Sequence, residues 1–551
     1  MLLAGLIFSL HHWVAIARNR GDYSPFAAAV RTSSLTYDET QFYAPPARRF
    51  MMTGKIPAEF DVFESRGRHA GIPYLPSVLL GGLGRLAGSL EWAFILSDFL
   101  FPALALWLLY MCSEGIVGNH WRLFAAWIVL LIPFTDTNFF WYGYDMRIAP
   151  ADFSRTPNPE ITFPLLIGAV LLLVRALHAG RPRDLLASAL VSTLIVYSYY
   201  FYTLAWALLF CILMLLAAFW RNREIFKRLI ILGSLIAAGS LPFLWVTYAG
   251  MREGDQKNLL YRQGIFRHTA DVPAIFYLAI GLWIVWKFGP EMLAFPVRTR
   301  ITVLFALALA GFAGLNLQVI TGYDAQHTHF WNRLIAPIAY FLFSCWLFSV
   351  IERSRSPRAI LIGRVVLALL IANAAARQFL VAKWIAETQR ATRPEIEVLA
   401  WTRNHLRPGV VVGTLDPEMI SMLPALTADF SYVPAAGRST ISMQEVADRY
   451  YDLAAINGLT DREFAELLAP LNHFSSRPYV MEVLHYYGSL ESFLLGYSHH
   501  VERALGRRLD YMILSAPGLS PSLRERFPNA RAIHSNSAFE VVALRSSDPQ
   551  D

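Results

Sequence analysis

The feature that most constrains this chain is a succession of apolar runs, each long enough to cross a bilayer as a helix. They fall at roughly 90–112, 120–134, 161–178, 185–199, 202–220, 229–249, 273–289, 301–320, 333–351 and 359–381. The stretch 185–220 is too long for one crossing and divides at Tyr199-Tyr200-Phe201-Tyr202, an aromatic cluster suited to a membrane interface. The apolar N-terminus, Met1 to Ala17, has no basic n-region and no small-residue cleavage signal, so it reads as a first membrane helix. These segments predict about eleven transmembrane helices. Only 16% of the 551 residues are charged, against about 25% in soluble domains. Lipid is therefore the expected solvent.

One shorter segment fixes the topology. Tyr74 to Ser89 spans about 22 Å as a helix, too short for a hydrocarbon core of about 30 Å, and holds Pro76, four glycines and Arg85. It reads as a helix lying in the membrane plane. With that choice, four successive loops carry basic residues on one side. They hold Arg175, Arg181 and Arg183; then Arg221, Arg223, Lys227 and Arg228; then Lys287, Arg298 and Arg300; and finally Arg353, Arg355 and Arg358. The positive-inside rule makes that side cytoplasmic. The net charge of +7 is spread over these loops rather than gathered in a patch, so it speaks for membrane orientation and against a nucleic-acid partner. Arg18 and Arg20 fall on the other side, in a long loop, where charge has little influence.

The opposite face, read as the outside of a bacterial inner membrane, receives the loops 18–73, 135–160, 250–272 and 321–332 and everything after about 385. The expected fold is thus a polytopic α-helical membrane domain, 1–384, whose first outer loop, 18–89, carries interfacial helices. A soluble α/β domain, 385–551, follows on the periplasmic side, with 385–395 as linker. In that tail Gly409–Leu415, Asp510–Ser515 and Phe539–Leu544 read as strands, and 395–406, 443–454 and 488–505 as helices. It has no glycine-rich phosphate loop, so no nucleotide chemistry is assigned to it. Cys112, Cys211 and Cys345 all lie in apolar segments and form neither a disulfide framework nor a zinc constellation.

Chemistry-bearing residues collect in the outer loops. The first reads Tyr37-Asp38-Glu39-Thr40, followed by Ala47-Arg48-Arg49 and Gly54-Lys55. A carboxylate at a bilayer surface can deprotonate an acceptor hydroxyl or hold a divalent metal; the plainer reading of Asp38-Glu39 is an acidic pair opening a helix. The second loop holds Asp136, Asp145, Arg147, Asp152, Arg155, Asn158 and Glu160. Arg147 and Arg155 present forks that match phosphate oxygens, or else snorkel toward lipid headgroups. Arg262 lies in the next loop. His327 and His329 follow, with Arg333 opening the next helix. A bare His-x-His is a weak zinc signal, so hydrogen bonding or proton donation to a leaving phosphate is preferred for the histidines.

An acidic pair shortly after the first span, then an Ala-Arg and a Gly-Lys, then an apolar interfacial helix opened by prolines, resembles the C superfamily of membrane glycosyltransferases (GT-C). That superfamily includes the protein mannosyltransferases and the aminoarabinose transferases of lipid A. The resemblance covers the order of elements through about residue 180, with the outer soluble tail. It implies an inverting hexosyl- or pentosyltransferase that moves a sugar from a polyprenyl-phosphate donor to a glycan, lipid or protein acceptor at the outer face. Asp38 would be the base with Glu39 as helper, and Arg147, Arg155, Arg262, His327, His329 and Arg333 would bind the donor phosphate. Asp145 is the candidate second acid, in competition with Asp136 and Asp152. A divalent metal such as Mg or Mn is left open by the resemblance. The alternative is a transporter or flippase of a lipid-linked glycan, which would need charges near the bilayer midplane; Asp98 is the main one inside a span.

Overall fold

The computed structural model describes residues 1–19, 23–26, 36–56, 62–67, 73–132, 152–253, 264–292, 296–325, 328–354, 356–391, 393–434, 441–472, 487–500, 507–516 and 518–544. The chain divides into two compact units that do not follow chain order. The first comprises Met1–Val14, Ile95–Trp245 and Gln263–Ala382. The second comprises Ala15–Phe94, Val246–Arg262 and Lys383–Asp551.

Seven helices among the described residues are long and apolar enough to cross a membrane. They are Leu90–Cys112, Thr162–Ala179, Tyr200–Phe219, Arg223–Ala249, Val297–Gly314, Trp331–Ser354 and Pro357–Glu387. Shorter helices stand at Leu2–Arg18, Asn119–Leu131 and Pro182–Val196, and a further apolar helical stretch covers Val272–Ile284, all where further spans were expected. The chain is an integral membrane protein. Its first unit is held by apolar packing, with Trp121 stacked on Phe348 at 4.9 Å between ring centres.

The basic loop residues have a second use. Arg300 donates through Nη1 to the carbonyls of Met111, Cys112 and Glu114, at the C-terminus of the helix Leu90–Cys112. Arg228 does the same for the carbonyls of Leu177 and His178 at the end of Thr162–Ala179. A helix C-terminus exposes unpaired carbonyls and partial negative charge, so a guanidinium there is favoured. These contacts bring together chain ends that the charge pattern assigned to one face.

Two boundaries differ from the sequence reading. The run 301–320 is broken: one helix ends at Gly314 and a short one covers Leu317–Thr321. Asn316 sits between them, its Oδ1 accepting from the amide of Asp271 at 2.9 Å, a local polar bond that competes with helical pairing. The expected linker 385–395 is mostly helix instead, because Pro357–Ala391 runs unbroken and Arg393–His405 follows. Ala, Glu, Gln and Arg at 386–391 are strong helix formers, and Pro394 falls in the first turn of the second helix, where proline is tolerated.

A two-stranded antiparallel ribbon, β1 (Gly264–Phe266) with β2 (Tyr323–Ala325), ties two of the predicted outer loops in the first unit. Arg267 donates through Nε to Asp324 at 2.7 Å beside it.

The second unit is built on a five-stranded sheet. Its strands are β3 (Val411–Gly413), β4 (Phe430–Ser431), β5 (Tyr511–Ser515), β6 (Arg531–Ser535) and β7 (Phe539–Ala543), in the order β4-β3-β5-β7-β6. β3 is parallel to β4 and β5, while β7 is antiparallel to β5 and β6. Helix Met443–Ile456 starts with a serine N-cap: Ser442 Oγ accepts from the amide of Glu445 at 3.1 Å. Val411, Met512, Val542, Tyr450 and Phe464 belong to the core.

The first outer loop belongs to this second unit. Helix Thr36–Thr53 lies against Leu75–Ala87, the helix predicted to be interfacial. Gly81 makes the approach possible, since a Cβ there would sit 2.5 Å from the carbonyl oxygen of Ala47. Ser77 Oγ donates to the carbonyl of Tyr43 and Arg85 Nε to that of Met51. Arg48 is fully enclosed: Nε donates to the carbonyl of Ala425 and Nη2 to Glu91, both at 2.8 Å. Arg403 meets the same Glu91 oxygen at 3.1 Å. Arg49 covers the ring of Phe430 at 3.6 Å.

Candidate active site

Within the first unit, three segments distant in sequence meet: 152–162, the turn at Tyr199–Tyr202, and 328–335. The 152–162 segment is fixed by local chemistry. Its prolines, Pro157 and Pro159, both follow cis peptide bonds, and Ser154 Oγ donates to the carbonyl of Phe8 at 2.6 Å. Arg155 is 7% exposed and Asn158 2%. The helix carrying Arg333 widens to i→i+5 pairing over Trp331–Ile335. Such a local bulge re-aims side chains and is frequent at functional sites. Arg333, 2% exposed, donates through Nη1 to the carbonyl of Asn158 at 2.9 Å. Tyr202 donates to the carbonyl of Arg333 at 2.8 Å.

His329 sits between these groups. Its Nδ1 shares a hydrogen bond of 2.6 Å with the Tyr199 hydroxyl, and its ring packs on Phe201 at 4.6 Å. Burial, then the charges of Arg333 and Arg155, hold its pKa well below the usual imidazole range. His329 is therefore neutral at physiological pH and serves as a hydrogen-bonding group rather than a ready proton source. In the tautomer whose Nδ1 accepts from Tyr199, Nε2–H is the donor of the neutral ring.

The structure thus brings together three of the sequence-predicted phosphate-binding residues, Arg155, His329 and Arg333. Asp145, Arg147, Arg262 and His327 lie outside the described residues, as does Asp136. Asp38 and Glu39 open the helix Thr36–Thr53, and their side chains lie outside the described ones. Asp152 is described and buried, in the turn Asp152–Ser154. A cavity of about 360 Å³ is lined by Arg267, Thr269, Asp271, Pro273, Leu315 and Gln318, among others. None of the predicted site residues lines it.

Tyr199 and Tyr202 are site residues that sequence reasoning missed. Their cluster reads as an interfacial belt, yet Tyr199, Phe201 and Tyr202 are each under 9% exposed and turn inward onto His329 and Arg333. Only Tyr200 remains open, at 48%. A buried tyrosine needs a partner for its hydroxyl, and four consecutive aromatics at the division between two predicted spans were the available signal.

No family model matches the chain, and no curated protein matches it. Among solved structures, the chain is similar to ArnT from Cupriavidus metallidurans bound to undecaprenyl phosphate. Identity is 13% and the TM-score 0.41, over 98% of each chain. It is also similar to ArnT from the same organism in the apo state, at 13% identity and a TM-score of 0.39, over 98% of this chain and 97% of that one. At these values the likeness carries no argument about chemistry.

Proposed function

We propose that this protein is a membrane glycosyltransferase that takes a sugar from a polyprenyl-phosphate donor. One observation carries the reading. Arg155 and Arg333, far apart in sequence, both lie close enough to His329 to add to the burial that holds it neutral. Two enclosed guanidiniums beside a neutral hydrogen-bond donor form a setting for an anion, and a fork of N–H groups matches phosphate oxygens. In a chain with several helices suited to cross a bilayer among its described residues, a lipid phosphate is the anion most readily delivered.

In this reading the arginines bind the donor phosphate and stabilise it as it leaves, an electrostatic contribution often the largest in such chemistry. His329 donates a hydrogen bond to the same group. Asp38 deprotonates the acceptor hydroxyl, which attacks the anomeric carbon with inversion; this role rests on the superfamily resemblance. The active face is the outer one, with about eleven spans beneath it and the tail domain on that side. The acceptor is a glycan, lipid or protein.

The rival, a flippase, draws on Asp98, an acid buried inside a span. Both are tested with membranes or proteoliposomes supplied with a panel of radiolabelled polyprenyl-phosphate sugars. Transfer of label to an acceptor, lost in Asp38→Ala and in Arg155→Ala, is the expected result. Movement of intact donor across the bilayer without transfer would establish the rival. Full transfer by Asp38→Ala would remove the base assignment alone.

A further inference from the structure

The proposed transfer reaction makes no use of a knot of polar groups deep in the first unit. His11 and His12, in the helix Leu2–Arg18, both turn onto Asp98 of the helix Leu90–Cys112. All three are buried, at 3%, 6% and 1% exposed. Their candidate ligand atoms lie within 4.8 Å of one another. The two imidazoles stack closely, with ring centres 3.9 Å apart. Thr156 donates to the other oxygen of Asp98 at 2.9 Å and also bonds Glu160, which is wholly buried.

We infer that His11, His12 and Asp98 form a binding site for a borderline divalent transition ion, with zinc as the best match. The argument begins with charge. Two carboxyl groups and two imidazoles share a low-dielectric interior, and among the described residues no lysine or arginine forms an ion pair with either acid. A buried carboxyl with no cation beside it keeps its proton, and it ionises when paired or bound to a metal. A divalent ion would supply the positive charge that lets Asp98 ionise and ligate.

Geometry gives the second step. One hydrogen bond to Asp98 needs a single histidine, and His12 Nε2 makes it at 3.0 Å from Oδ2. His11 Nε2 nevertheless faces the same oxygen from 3.5 Å, beyond a good hydrogen bond. Metal–ligand bonds of about 2.0–2.1 Å in a tetrahedral site put ligand atoms about 3.3 Å apart. The two distances bracket that edge length. Thr156, on Oδ1, is then an outer partner that orients the carboxylate, as metal sites usually require.

The donor set also selects the ion. Two imidazole nitrogens and one carboxylate suit zinc, whereas magnesium and calcium prefer oxygen ligands. Such an ion would tie the N-terminal helix to the helix carrying Asp98, a staple across 86 positions of sequence.

The test uses the full chain without a histidine tag, extracted in detergent, stripped with a chelator and supplied with zinc chloride. One tightly held equivalent of zinc per chain is expected. X-ray absorption should then show imidazole nitrogens at about 2.0–2.1 Å. His11→Gln and His12→Gln should each weaken zinc binding at least about tenfold. Equal zinc retention by wild type and the double variant, or a zinc shell without imidazole, overturns the assignment. Should the variants fail to fold, cobalt(II) loaded into the wild type decides the matter. An intense tetrahedral visible spectrum supports the site, and a weak octahedral one or no binding overturns it.

Discussion

Two histidines, His329 in the first unit and His500 in the second, meet opposite surroundings. His500 Nε2 contacts Asp452 Oδ1 at 2.8 Å, while Arg507 and Tyr432 donate to the other oxygen at 2.8 and 2.9 Å. Here a guanidinium and a carboxylate cancel, and three segments are stapled around a fully buried acid. The same logic repeats nearby, where Arg449 meets Glu445 and Glu64 at 2.8 and 3.0 Å. His329 instead lies within reach of two guanidinium charges, with a tyrosine hydroxyl on its Nδ1. The contrast separates charge used to hold the fold from the charge proposed to receive an anion.

The largest effect should come from breaking the self-neutralised network. Asp452→Ala removes the acceptor of three side chains and leaves Arg507 facing a buried void. A loss of about 3–5 kcal/mol is expected from removing one partner of a buried pair. Thermal or denaturant unfolding of the second unit, read in the full chain, measures it. A loss below about 1 kcal/mol would place Asp452 with ordinary surface pairs and erase the contrast.

Next comes Arg333→Ala. If the positive setting around His329 serves an anion, transfer from the lipid-phosphate donor should fall about 10²–10³-fold, the usual cost of removing one preorganised electrostatic group. The variant should still be extracted as a folded, monodisperse protein. Unchanged transfer would leave Arg333 as a packing residue.

These two sites were unequally legible in the sequence. Apolar runs of bilayer length announce helices because lipid imposes a length and forbids charge. Arg155, His329 and Arg333 stand out because guanidiniums and imidazoles suit phosphate oxygens, while headgroup snorkelling accounts for a single arginine equally well. Arg48 was read as part of a loop motif, yet it is an enclosed strut on Glu91, and nothing in an Ala-Arg dipeptide distinguishes the two. His11-His12 and Asp98 were each visible as interruptions of an apolar run. That they meet is a tertiary fact, set by helix packing across 86 positions. Strand β6 escaped because Arg531–Ser535 is mostly exposed and shows no alternation of apolar and polar residues. β4 is only two residues long.

A smaller effect tests a second kind of acid in the tail unit. Asp429 accepts from the amide of Gly409 at 3.0 Å. Burial, only partly offset by that bond, by Thr427 and by the more remote charge of Arg49, pushes its pKa up to about 7. A carboxyl whose folded pKa is raised favours the folded state while protonated. Its contribution is complete below the ordinary value near 3.8 and is lost as pH rises through about 7. Stability of this unit should therefore decline over that window, by at most about 1.4 kcal/mol per pH unit for one proton. Asp429→Asn should flatten the decline; an equal slope in the variant would assign it elsewhere.

The smallest effect concerns the Tyr199 hydroxyl. Tyr199→Phe keeps the ring against Tyr202 and Phe201 and deletes only the 2.6 Å bond to His329. A single hydrogen bond is worth about 0.5–1.5 kcal/mol net, so transfer should fall roughly threefold to tenfold. The reason lies in the tautomer: without a donor at Nδ1, the neutral ring no longer has to carry its proton on Nε2. Because burial, with the two arginines, keeps His329 neutral in either case, the pH dependence of transfer should not change shape. A new acid limb in Tyr199→Phe would mean that the imidazole had become protonatable, and that Tyr199 rather than burial and the guanidiniums had kept it neutral.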